Sequence, residues 1–71
     1  MTFSLYDVVK LRERVRGGMD DGSDVPAGSI GTIVDMRQEG TGPLYLVEIC
    51  DAEGRTLAIC GVSGPQLEPA E

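Results

Sequence analysis

Seventy-one residues carry six basic and twelve acidic side chains and no histidine, a formal charge of −6. A chain of this length forms one domain, residues 1–71, and buries only about 60% of its unfolded surface, which leaves no room for a deep substrate cavity. The anionic balance opposes phosphate backbones, so nucleic acid is not the expected partner.

The charge is uneven along the chain. Residues 1–16 hold four basic and two acidic side chains, whereas residues 17–71 hold two and ten. The opening MTFSLYDVVKL lacks the basic and apolar regions of a signal peptide. No apolar run approaches the roughly 20 residues that span a bilayer. A cytoplasmic protein without membrane association is expected.

From Tyr6 the chain reads YDVVKLRERVR, with apolar residues at every second position. A strand is predicted with Val9, Leu11 and Val15 on one face and Lys10, Arg12, Arg14 and Arg16 on the other. Glu13 breaks the inner face and marks where the strand curls outward. Residues 17–29, GGMDDGSDVPAGS, read as a long, solvated and mobile acidic loop. IGTIVDMRQ predicts a second strand with Ile33 inward, and EGTGP a turn.

LYLVEIC predicts a third strand with Tyr45, Val47 and Ile49 on one face. DAEGR reads as a three-residue hairpin loop with Gly54 in the left-handed conformation, forming a bulge. RTLAICGV then pairs back, with Leu57 and Ile59 inward. VSGPQLEP suits a short helical turn at its Gly-Pro step, with Leu67 plugging one end. Four or five short antiparallel strands, one long loop and one tight hairpin predict an all-β small barrel rather than a sandwich.

These segments together resemble a known family. The elements are Tyr6–Leu11, Ala27–Val34 with its Gly-Thr-Ile-Val, Tyr45–Ile49, the Glu53–Gly54 turn and the closing Gln66–Pro69. In this order and spacing they are similar to the small bacterial family described as domain of unknown function 4926. The resemblance spans nearly the whole chain and implies a short stand-alone bacterial protein with an SH3-like barrel. It transfers no catalytic residue. Gly-Thr-Ile-Val is also similar to the KOW-type strand of ribosomal and transcription-factor barrels. The cysteines flanking the hairpin and the long first loop depart from the pattern.

Each chemical signal has a plainer structural reading. Gly28, Gly31, Gly40, Gly42 and Gly54 precede no helix, so they read as turn glycines rather than a phosphate cradle. Asp20, Asp21 and Asp24 fail the calcium-loop pattern, because the twelfth position from Asp20 is Gly31. Cys50 and Cys60 have no Cys-x-x-Cys spacing and no histidine to complete a metal site. Setting Asp51 opposite Arg55 places Cys50 opposite Thr56 and Cys60 opposite Leu46. The thiols are then about 13 Å apart, beyond disulfide reach. Without histidine, Ser-His and Cys-His nucleophiles are impossible. No cofactor, metal or catalytic residue is expected.

Two surfaces remain as partner contacts. One is the basic stripe Lys10, Arg12, Arg14 and Arg16, either paired with carboxylates such as Asp35 or Glu48 or offered to an acidic partner. The other is the outer hairpin face of Leu46, Glu48, Cys50, Thr56, Ala58 and Cys60, covered by the long loop or C-terminal segment or else paired with another chain. The expected function is a non-catalytic protein-interaction module, immunity- or antitoxin-like or accessory, binding another protein or itself as a homodimer. The alternatives are an RNA- or ribosome-associated KOW-like barrel, and an accessory subunit or maturation factor of an enzyme.

Overall fold

In the computed structural model, which describes residues 3–40 and 42–70, the predicted period-two segments become strands. They are β1 (Val8–Leu11), β2 (Ile30–Glu39), β3 (Gly42–Cys50), β4 (Thr56–Ser63) and β5 (Leu67–Pro69), with a 3-10 turn over Gly64–Gln66. All pair antiparallel in one sheet of order β4-β3-β2-β1-β5. A four-strand meander whose 3-10 turn returns a fifth strand to the first is the SH3-like order. The all-β expectation, with one short helical turn near the C-terminus, holds. No helix among the described residues is long and apolar enough to cross a membrane.

Alternation along the strands fills the interior. Val9 and Leu11 of β1, Ile33 of β2, and Tyr45, Val47 and Ile49 of β3 are buried, as their spacing predicts. Leu67 is 2% exposed and closes the end as expected. Phe3 packs edge-on against Tyr45, with ring centroids 5.7 Å apart, and its N–H donates to the Tyr45 hydroxyl at 3.2 Å.

The β3–β4 hairpin closes as read. Asp51 N–H donates to the Arg55 carbonyl at 2.9 Å, Gly54 N–H donates to the Asp51 carbonyl at 3.0 Å, and Gly54 has φ +83°. The face of β4 does not follow. Cys50 does face Thr56, but Ile49 then faces Ala58, so Leu57 is an extra, bulged residue. One extra residue exchanges the two faces of a strand. Ala58, Cys60 and Val62 are therefore buried, while Leu57 and Ile59 point outward at 37% and 55% exposure. Cys60 faces Val47 rather than Leu46.

β1 is also shorter than its alternation predicts. After Leu11 its strand pairing ends, and Arg12 N–H donates instead to the Gln66 carbonyl of the 3-10 turn at 2.8 Å. The segment that follows is pinned to the body. Val15 and Val25 exchange backbone bonds of 2.9 and 2.8 Å. Val25 is fully buried, with Val15 and Met19 packed against the core. Asp21 accepts from Ser23 N–H at 2.9 Å and Ser23 Oγ at 2.5 Å, and Asp24 accepts from Gly17 N–H at 3.0 Å. The acidic residues thus hold the loop's own backbone while they stay exposed. Of the predicted turn glycines, Gly28, Gly40 and Gly54 have positive φ, whereas Gly31 and Gly42 lie in strands. Thr41 of the predicted EGTGP turn lies outside the described residues.

Candidate functional site

Residues that a strand does not give to the core form the other face of its sheet. Val8, Thr32, Glu48 and Ile59 are successive cross-strand partners over β1, β2, β3 and β4. Val8 and Ile59, 53% and 55% exposed, stand at the two ends of this row. Ile30, 51% exposed, lies in the next row opposite Lys10. Leu57 projects beside them from the bulge. Glu48, at the middle, accepts a hydrogen bond from the Thr56 hydroxyl. A solvent-facing antiparallel sheet normally alternates toward polar side chains. This one keeps branched aliphatic residues in water.

The predicted hairpin face is divided by the bulge. Leu46 and Glu48 are half-buried and Cys50 and Thr56 exposed, all on the outer side. Ala58 and Cys60 are at 0% and 4% exposure in the core, so neither contacts a partner. Their face is covered from within: the Cys60 thiol lies 3.6 Å from the Gly18 carbonyl of the long loop.

The basic residues do not form one strand face. Lys10, half-buried, lies opposite Ile30 and Glu68. Arg12, Arg14 and Arg16 fall beyond the end of β1 and are exposed. Arg14 Nε sits 3.6 Å from the Asp24 carboxylate. The expected partners are occupied elsewhere, Asp35 accepting from Met36 N–H at 2.8 Å and Glu48 from Thr56.

Three groups have displaced acidities. Burial pushes the Cys60 thiol up, and the charge of Asp20 acts in the same direction. Asp21 is lowered chiefly by the Ser23 hydroxyl, and Asp51 chiefly by the Arg55 N–H. Cys50 and Cys60 are both free thiols. No group of three metal-ligating side chains occurs among the described residues. A surface groove of about 280 Å³ brings Asp20 and Asp21 against Thr56 and Leu57. Another, of about 450 Å³, sets Glu39 beside Leu44, Ser63 and Pro65.

Sequence reasoning passed over Val8, Ile30 and Tyr6, and placed Leu57 and Ile59 inside. For β4 the available signal was its apolar character on both faces, which period two alone does not resolve. Tyr6 had none. Asp7 N–H donates to the Ser4 carbonyl at 3.1 Å, closing a turn in which Tyr6, 72% exposed, takes φ +69°. That position normally belongs to glycine.

No curated protein and no solved structure matches the chain. One sequence family does, described as a domain of unknown function (DUF4926), over residues 5–69. With its five-strand order matching what the resemblance implies, this chain belongs to the DUF4926 family.

Proposed function

We propose that this chain is a non-catalytic protein-interaction module that binds another protein through the exposed face of its sheet. The observation that carries this reading is the set of exposed aliphatic residues on the outer face of the sheet, Val8 and Ile30 on β1 and β2 and Leu57 and Ile59 on β4, with Thr32 and Glu48 between the two pairs. Apolar side chains gathered on one exposed face are a feature of interaction sites. Covering such a half-exposed aliphatic side chain contributes about 1 kcal/mol.

At Asp21, Asp51 and Cys60 the displaced acidities run against a catalytic role for those groups. A general base needs a pKa raised toward neutrality, yet Asp21 and Asp51 are lowered. A thiol nucleophile needs a lowered pKa, yet Cys60 is raised and buried. The proposed setting is the bacterial cytoplasm, with an immunity- or antitoxin-like or accessory role toward a client of opposite charge.

Calorimetric titration of the purified chain with the products of the genes flanking its own tests the reading. One of them is expected to bind. The double variant Val8→Lys, Ile30→Lys should weaken that binding about tenfold or more while the unfolding transition stays in place. A wild type that binds neither product, or a variant that binds as well, overturns it.

A further inference from the structure

β4 is the last strand of the sheet, so one of its edges has no partner strand. Its residues, TLAICGVS, include neither a charge nor a proline. Those are the devices by which edge strands discourage pairing with another chain. Among the described residues one backbone bond reaches this edge from outside the sheet, from Asp20 N–H to the Leu57 carbonyl at 3.1 Å. That bond covers the bulge at the start of the strand. Past Ala58 no other described strand pairs with the edge, and at its far end the Ser63 N–H already donates to Gln66 Oε1 at 2.8 Å.

The charges around the edge share one sign. Asp20 and Asp21 share a groove with Thr56 and Leu57 at its start. Glu48 is the cross-strand partner of Ile59 at its middle. Glu39 shares a groove with Ser63 and Pro65 at its end. The cation at the hairpin, Arg55, is held 2.9 Å from Asp51 and 3.6 Å from Glu53. A second copy of the chain would bring the same carboxylates to the junction, with a charge of −6 on each body.

We infer that β4 pairs with an extended cationic segment of a partner protein. The segment adds a sixth strand along residues 58–62 and sets its lysines or arginines against Asp20, Asp21, Glu39 and Glu48. Main-chain hydrogen bonds supply attachment in strand addition, and alternate side chains supply selectivity. The inference rests on the interaction-module reading and adds to the sheet-face contact a second one, at the β4 edge, with its partner chemistry named.

The test uses a dye-labelled synthetic peptide of alternating lysine and valine, and a counterpart of alternating glutamate and valine. Two further lysine–valine peptides are N-methylated on one or the other set of alternate amides, which removes the donors of one edge and keeps the side chains. Fluorescence anisotropy reads binding, and amide hydrogen exchange reads β4.

The lysine–valine peptide should bind, more weakly as salt rises, and should slow exchange at amides of β4. One methylated version should bind about tenfold more weakly or worse, as should the parent peptide toward Ile59→Lys. The glutamate–valine peptide should not bind. Equal binding by both methylated versions, or no binding of the lysine–valine peptide, overturns the inference. So does a free protein that sediments as a dimer with β4 already protected, since a second copy then occupies the edge. If a flanking-gene product binds while the peptides leave β4 untouched, the interaction module stands and strand addition falls. If neither binds, both fall.

Discussion

Gly31 shows how closely two strands approach when one side chain is missing. A Cβ there would come within 2.6 Å of the Glu48 carbonyl oxygen and of Val47 Cγ1. Backbone cannot yield as the end of a flexible side chain does, so Gly31→Ala is expected to cost about 1–3 kcal/mol by urea unfolding. A change below about 0.5 kcal/mol would contradict the close approach. Tyr6 is the opposite case, a bulky residue in a left-handed turn position, where such strain costs of order 1 kcal/mol. Tyr6→Gly should leave stability unchanged or raise it by up to about 1 kcal/mol, and a clear loss would mean the ring has contacts that matter. Cys60 gives a pH dependence. Its folded pKa is shifted up by burial, so the unfolded chain loses this proton first as pH rises. Stability is therefore full below the ordinary thiol range and declines as pH climbs through it toward the folded value. Cys60→Ala should flatten that alkaline decline in a series of unfolding curves. In a thiol-labelling time course of the native wild type, Cys50 should react before Cys60.

At the scale of elements, a strand was legible wherever alternation met uninterrupted pairing. β3 is such a strand, and Tyr45, Val47 and Ile49 are buried as read. β4 carries apolar residues on both faces. Side-chain size favoured Leu57 and Ile59 for the core, but the bulge at Leu57 gave the core to Ala58, Cys60 and Val62. The alternation of Lys10, Arg12, Arg14 and Arg16 continued past the point where β1 has partners, because the pattern does not encode where pairing ends. Val25 was illegible for another reason. It is one apolar residue among Asp, Ser and Pro, and it joins the core across a backbone bridge to Val15 that no local pattern announces. The inverted face of β4 predicts unequal costs for one substitution at adjacent positions. Ala58→Asp buries a carboxylate and should lower stability by about 3 kcal/mol or more. Ile59→Asp should stay within about 1 kcal/mol of wild type. A larger loss for Ile59→Asp than for Ala58→Asp in urea unfolding would restore the register without the bulge.

For the whole molecule, the all-β class and the short turn near the C-terminus were legible, whereas the pairing of Leu67–Pro69 with β1 was not, because the segment read as a turn with Leu67 as a plug. The radius of gyration, 11.2 Å, equals the roughly 11 Å expected of a compact chain of this length. The candidate surface was half legible. The outer hairpin face was recognised through Leu46, Glu48 and Cys50, but its aliphatic members were not, because they come from β1, β2 and the inverted side of β4. Only the three-dimensional pairing of Val8 with Thr32, Thr32 with Glu48 and Glu48 with Ile59 assembles them. The basic residues that dominate the sequence by eye lie apart from this row, with Arg12, Arg14 and Arg16 beyond the end of β1. Amide chemical-shift mapping of the labelled chain, titrated with the flanking-gene product that binds it, separates the two surfaces. The predicted result is a set of shifts over Val8, Ile30, Thr32 and Leu57–Ile59. Shifts concentrated on Arg12–Arg16, with the outer sheet face unchanged, would contradict it.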